Sequence, residues 1–288
     1  LTFSIKNKLN KKIKFTGPKS AIFEKFSRRV QFLISLFYLS KQIISNRKSI
    51  VVCFQGNMYC VYLCKLLGTQ VILRSNSSPS GWSKNRIKIF LYRFGFKLAD
   101  GIIVNSTQFK KQLKKKFNVN AKCIYNPLNL KEIKRLSTKK IKFNFFKKDF
   151  LNIINIGRLE NQKDQFTLIK AINEINHIIK IKLLIIGNGS NQLKLQYLIN
   201  KNKLKDNVKI LNNVSNPFPY LVKSNLFVLS SLYEGLPNVI LEALTLNKFV
   251  ISTNCPTGPS EILDDGKGGM LIPIKNYKRL SERILFFK

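Results

Sequence analysis

Short apolar runs alternate with helix-period segments along nearly the whole chain, and this alternation restricts the fold more than any other feature. Residues 49–54, 71–74, 101–106 and 123–125 read as strands in the first half. Residues 151–156, 181–186, 208–211, 226–229 and 249–252 do so in the second. Helical patterns fill the intervals at 84–98, 107–117, 165–175, 192–202, 217–223 and 239–244, with another running from Asn57 to Leu67. Strands alternating with helices imply a parallel sheet covered on both faces. The expected class is α/β, with two Rossmann-like doubly wound domains facing each other across a cleft. Ligands in such sheets bind beyond the carboxyl ends of the strands. Residues 128–148 break the rhythm with Lys139-Lys140, Lys147-Lys148 and few periodic apolar positions. The interdomain connection is placed there, giving domains 1–148 and 149–288.

Composition bounds the class. A chain of 288 residues that is 44% hydrophobic and 23% charged is globular and long enough for two domains. Its five cysteines form no C-x-x-C pair, and the single His177 removes most zinc-site arrangements. Unpaired thiols of this kind fit a reducing cytoplasm. The charge is lopsided: residues 1–150 hold 33 of the 51 Lys and Arg but only 4 of the 14 Asp and Glu. Such a basic half is expected to face something anionic. No secretory signal opens the chain, and the apolar stretch 30–39 is far short of the ~20 residues of a membrane span, so a buried or surface-lying helix is expected there. Leu1 is not a start methionine and Lys288 falls inside a helical pattern, so the chain reads as a fragment clipped at both ends.

The stretch from Glu234 to Glu242 carries the densest chemistry. Two carboxylates eight positions apart flank Gly235-Leu236-Pro237 between a strand and a helical pattern. Pro237 suits a first helical turn, where its missing N–H costs nothing. The turn aims free amides beyond the strand end, and a helix start attracts phosphate. The carboxylates can accept hydrogen bonds from sugar hydroxyls. Earlier, Gly157-Arg158 closes one strand and Lys163 follows five positions after Arg158. A guanidinium fork and an ammonium at that spacing could clamp one diphosphate. Gly187-Asn188-Gly189 ends another strand; two glycines there make a tight turn or let backbone approach a ligand.

Together these residues resemble family 4 of the retaining glycosyltransferases, the glycosyl transferase group 1 enzymes with the two-domain GT-B fold. Gly157-Arg158-Leu159 with Lys163, Gly187-Asn188-Gly189, Asn216-Pro217 with Tyr220, Ser230, Glu234 to Glu242-Ala243, Cys255 to Ile262 and Asp265 to Pro273 carry the match. Asn105-Ser106 and Tyr125-Asn126-Pro127 resemble marks of the acceptor domain. The resemblance implies that Arg158 and Lys163 bind and stabilise the departing diphosphate and that Glu234 contacts the transferred sugar. It assigns the ribose hydroxyls to Glu242 and places Gly235, Leu236, Pro237, Asn238, Gly157, Gly187 and Asn212 around the donor. The donor would be a nucleotide-sugar, UDP-linked by the family's habit, with no further cofactor. No metal is required if Arg158 and Lys163 neutralise the leaving group. The 255–261 stretch looks most like enzymes moving N-acetylhexosamines onto lipid-linked glycans.

Three departures stand out. Asn212 occupies a position usually held by glycine, where asparagine is the next-best residue for positive φ. The histidine that many members carry in the acceptor domain is missing from residues 1–150, with Ser75-Asn76 in the region where it would stand. The glycine-rich first loop of that domain is also missing. The expected partners are the donor, a glycan or lipid-linked acceptor, and an anionic membrane surface met by the basic domain through Lys110-Lys111, Lys114-Lys115-Lys116, Arg28-Arg29 and Lys11 to Lys14. Residence is expected at the inner face of the cytoplasmic membrane. The competing readings are a basic nucleic-acid-binding protein, which lacks any zinc-finger, RRM or KH signature, and an inactive partner subunit.

Overall fold

A computed structural model of the chain describes residues 16–17, 23, 25–55, 57–76 and 85–288. The basic run 11–14 and residues 77–84, between the second strand and the helical pattern that follows it, lie outside them. By backbone packing the chain groups into two units, residues 1–75 with 84–103 and residues 76–83 with 104–288.

In the first unit the order is α1 (Arg28–Ser45), β1 (Ile50–Phe54), α2 (Met58–Leu66), β2 (Gln70–Ser75), α3 (Arg86–Leu98) and β3 (Gly101–Val104), whose last residue begins the second unit. β1 and β2 pair in parallel, Ile50 opposite Gln70 and Phe54 opposite Arg74. Asparagines start two of the helices. The Asn57 side chain accepts from the Cys60 amide, and that of Asn85 from the Ile87 and Lys88 amides, the usual way to satisfy first-turn donors. Asp100 ties the turn before β3 to β2: its carboxylate accepts from the Val71 amide at 2.7 Å and from Lys65 at 2.6 Å. Lys65 first, then that amide, holds the carboxyl below the ordinary aspartate range.

The second unit begins with α4 (Thr107–Phe117), β4 (Lys122–Cys123) and α5 (Leu130–Ser137). A regular alternation follows: β5 (Leu151–Ile156), α6 (Gln165–Ile175), β6 (Ile181–Ile186), α7 (Gln192–Lys201), β7 (Val208–Leu211), α8 (Phe218–Lys223), β8 (Leu226–Leu229), α9 (Asn238–Thr245), β9 (Phe249–Thr253), α10 (Pro259–Ile262), β10 (Met270–Ile272) and α11 (Tyr277–Phe287). Its six strands lie in the order β10-β9-β8-β5-β6-β7, with parallel pairing. Successive strand residues enter opposite cores. Ile153, Leu183 and Ile251 pack with α6 and α11 on one face, and Ile154, Leu184 and Val250 with α9 on the other. Covering both faces is what makes these strands continuous apolar runs. The order reverses between β5 and β8, so loops at the carboxyl ends of these neighbours splay apart, and such a switch point is where open α/β sheets bind ligands.

Within 128–148, where the sequence shows little periodicity, the structure has α5. Leu130, Ile133 and Leu136 lie along one side of it, a stripe too short to stand out among its charged neighbours, and only Ile133 is buried. Phe143, Phe145 and Phe146 pack against the second core, with Phe143 set edge-on to Tyr220 at 4.9 Å.

Candidate active site

The loops leaving β5 and β8 at the switch point are stitched to each other. The Leu232 amide donates to the Gln162 carbonyl at 2.8 Å, the Gln162 side chain to the Tyr233 carbonyl at 2.8 Å, and the Ser230 hydroxyl to the Lys163 carbonyl at 2.8 Å. Asp164, at φ 43°, turns the first loop into α6 and accepts from the Thr167 amide and hydroxyl. This stitching delivers Lys163 to Glu234. The ammonium lies 2.6 Å from Glu234 Oε1, with the two side chains only 13% and 8% exposed. The Ser231 hydroxyl donates to the same oxygen at 2.6 Å. No bond among the described residues reaches Oε2. In turn the Ser231 carbonyl accepts from the Thr253 hydroxyl at 2.6 Å, deep in the fold.

The Glu234 backbone is fixed from the other side. Its amide donates to the Pro256 carbonyl at 2.7 Å, and the Thr257 hydroxyl donates to the Gly235 carbonyl at 2.9 Å. Glycine is required at 235: a Cβ there would sit 1.9 Å from the Asn76 carbonyl oxygen, which the Asn105 side chain also contacts at 3.3 Å. Cys255 is buried nearby, its thiol pushed up to about 12 by burial and then by the Glu234 charge.

The other residues expected from the sequence are placed as follows. Arg158 is exposed at the end of β5 and donates to Gln162 Oε1 at 3.1 Å, so it adjoins the Lys163–Glu234 pair through Gln162. Glu242 lies in α9, half-buried, and burial raises its carboxyl above the ordinary glutamate range. No bond joins it to Arg158, Lys163 or Glu234 among the described residues. Leu236 is buried. Pro237 is the N-cap of α9 rather than its first helical residue, since the turn still needs an extended ψ of 98° there. Asn238 opens the helix and accepts from the Asn126 side chain at 2.9 Å. Gly157 and Gly187 meet backbone to backbone; a Cβ on Gly187 would come 1.9 Å from the Gly157 carbonyl oxygen. The positive φ expected at Asn212 falls instead on Asn213, at 55°. Asn212 uses its side chain, donating to the Gly187 carbonyl at 2.7 Å and to Gln192 at 3.1 Å, which locks the β6 and β7 loops together. Among the described residues no group of three or more His, Cys, Asp or Glu is placed to hold a metal ion.

Two functional-looking features escaped the sequence reading. One is Ser231, three positions before Glu234. The other is Glu261, in α10. Its Oε1 accepts from the Thr107 amide at 2.9 Å and the Tyr125 hydroxyl at 2.8 Å, and its Oε2 from the Gln108 amide at 3.0 Å. The Gln108 side chain answers by donating to Ser260 at 2.6 Å and accepting from the Gly258 amide at 3.0 Å. Burial pushes the Glu261 carboxyl up, but the two amides and the phenol outweigh it and leave it below the ordinary range. The same bond lifts the Tyr125 phenol to about 12, with burial adding to it. Only the motifs themselves, 255–262 against 105–106 and 125–127, hinted at this contact, because its partners lie far apart in sequence.

A profile of the family described as glycosyl transferases group 1 matches residues 137–288, more than half of the chain. The chain belongs to that family. An uncharacterized glycosyltransferase of Methanocaldococcus jannaschii is 42% identical over 186 residues, covering 62% of this chain and 46% of the relative. A Campylobacter jejuni enzyme named as an N-acetylgalactosaminyltransferase acting on a diphospho-undecaprenol-linked saccharide is 28% identical over 230 residues, covering 76% of this chain and 60% of the relative. The chain thus spans roughly half to three-fifths of these curated relatives. Among solved structures, a Staphylococcus aureus TarM point mutant crystallised with fondaparinux, alpha-GlcNAc-glycerol and UDP superposes with a TM-score of 0.71 at 21% identity, covering 88% of this chain and 51% of that one. At that identity the likeness speaks for the fold, and the GT-B class expected from the sequence, with its two parallel sheets, is the fold observed.

Proposed function

We propose that this group 1 family member is a retaining glycosyltransferase that moves a sugar, an N-acetylhexosamine, from a UDP-sugar to a lipid-linked or surface-glycan acceptor in polysaccharide biosynthesis. The observation that carries the reading is the buried Lys163–Glu234–Ser231 cluster at the β5/β8 switch point. Breaking the bond between the sugar and the β-phosphate leaves negative charge on the diphosphate. The ammonium of Lys163 has three protons and gives one to Glu234, so two are left for phosphate oxygens. Arg158 brings a planar fork at the same strand end. The first-turn amides of α9 add partial positive charge. Preorganised donors of this kind stabilise a departing anion most effectively away from bulk water. Glu234 Oε2 is the acceptor offered to a sugar hydroxyl, and Glu242 the one offered to the ribose.

With Arg158 and Lys163 doing the neutralising, the reaction is metal-independent and turnover persists in excess EDTA. The names of the relatives, an N-acetylgalactosaminyltransferase on a polyprenyl diphosphate and a fold neighbour crystallised with UDP, support the choice of sugar, acceptor class and nucleotide. The basic helix α4 supplies a docking surface for an anionic membrane, since Lys110, Lys111, Lys114, Lys115 and Lys116 are all exposed. Thermal-shift measurements against UDP-, GDP- and ADP-sugars test the donor, because selective binding raises the melting temperature. No shift with any of them would remove the reading. The anomeric coupling constant of the product, read by proton NMR, decides between retention and inversion.

A further inference from the structure

Helix α3 has an unusual surface for a helix packed in water. Its inner side is committed: Gly95 and Phe96 are buried, and the Leu91 carbonyl accepts from the Tyr62 hydroxyl at 2.6 Å. Its outer side is apolar. Ile87 is 71% exposed, Phe90 65%, Phe94 49% and Leu91 44%. The spacing 87, 90, 91, 94 puts all four on one stripe. Arg86, Lys88, Arg93 and Lys97 flank that stripe and are exposed, and the helix has no acidic residue. In the first 103 residues the only acids are Glu24 and Asp100, and Asp100 is paired with Lys65. Helix α1 repeats the pattern with Val30, Leu33 and Phe37 exposed, and Lys41 lies 4.6 Å above the Phe37 ring.

Helix α4 shows that basic charge alone does not produce this arrangement. It is richer in lysine, yet its apolar residues Phe109, Leu113 and Phe117 are buried to within 1%. A contiguous exposed apolar stripe marks an interaction surface. A protein partner would need acidic groups to meet four basic ones around an apolar centre. A layer of anionic headgroups over acyl chains offers both chemistries at once, and a helix with such faces lies in that interface.

We infer that α3 lies in the headgroup layer of an anionic lipid surface, with Ile87, Phe90, Leu91 and Phe94 entering the acyl boundary and Arg86, Lys88, Arg93 and Lys97 meeting lipid phosphates. This deepens the proposed membrane-linked acceptor by naming the contact element, and its test does not use turnover. The full chain is sedimented with vesicles of phosphatidylcholine alone and with equimolar phosphatidylglycerol and phosphatidylcholine. Binding is expected to the mixed vesicles and to be at least tenfold weaker to the neutral ones. The double variant Ile87→Ser/Phe90→Ser loses about tenfold or more on mixed vesicles. Arg93→Glu/Lys97→Glu loses about tenfold at low salt and less at high salt. Melting curves show whether each variant is folded; exposed positions should leave them unchanged. Equal binding to both vesicles, or unchanged binding by the folded Ile87→Ser/Phe90→Ser variant, overturns the inference. So does light scattering that finds a dimer which this variant dissociates, making a second copy the occupant. A UDP-sugar thermal shift recorded on every variant separates the two proposals: vesicle binding that the variants leave unchanged, with the shift intact, sinks only this one.

Discussion

Glu234 and Glu261 both follow a strand of the same sheet and both hold hydrogen-bond donors, yet they are spent differently. Glu261 gives both oxygens to the protein, to two main-chain amides and a phenol. Glu234 takes its two donors on one oxygen, and among the described residues nothing engages the other. A carboxylate with both oxygens answered by its own chain is a fastening; one held on a single oxygen is positioned for a ligand. The donors differ in kind as well. On Glu261 they are two first-turn amides of α4 and a phenol, all used within the protein, whereas the Lys163 ammonium has two further protons that can be shared.

The widest separation between the two should come from Glu234→Ala. Transfer is expected to fall about a thousandfold, while Glu261→Gln keeps most of the turnover. Comparable losses in the two variants, measured as kcat/KM on one donor and acceptor, would erase the distinction. Next in size is Lys163→Met. Removing one member of a buried ion pair leaves the other uncompensated and costs about 3–5 kcal/mol. Urea unfolding of the single variants and of Lys163→Met/Glu234→Gln sharpens the point, since the double variant should recover much of that loss.

Ser231→Ala probes the positioning of the free oxygen and should lower kcat by about tenfold with KM little changed, a loss of one hydrogen bond to a charged group. Ser231→Thr, which keeps the hydroxyl, should restore it; failure of that rescue would mean the serine serves packing only. Smallest is Glu261→Gln, expected to lower stability by about 1 kcal/mol, or some 2–4 °C in melting temperature for a unit of this size. Its pH dependence has a definite sign. The folded carboxyl lies below its ordinary value, so its contribution is present above the unfolded pKa and is lost as pH falls through the folded one. Melting curves of the two proteins should therefore converge in acid, and a gap that widened there would contradict the hydrogen-bond account.

The sequence revealed strands β5 to β8 almost to the residue, because a strand covered on both faces reads as an unbroken apolar run. Arg158, Lys163 and Glu234 were singled out for a different reason: each alone is a weak signal, since charged side chains at strand ends are usually solvated, and it was the order and spacing of the motifs around them that resembled the family. Helix α5 was passed over although Leu130, Ile133 and Leu136 recur at helical spacing, because eight residues among lysines make too short a pattern. Neither was Ser231, whose hydroxyl could have faced any neighbour. The exchange of roles between Asn212 and Asn213 depends on where one loop crosses another, which no local pattern records. The Glu261 fastening joins residues more than 130 positions apart, and the stripe on α3 is ordinary until its exposure is known.

Cys255 has a consequence for anyone wishing to tag or block this centre. Its thiol stands beside the Glu234 carboxylate, and its pKa of about 12 keeps it protonated at neutral pH. The thiolate is the reactive form, so electrophilic warheads and maleimide dyes will pass the residue by. A covalent ligand for this site must therefore find a different anchor, and a fluorophore attached elsewhere can be introduced without disarming the carboxylate next to it.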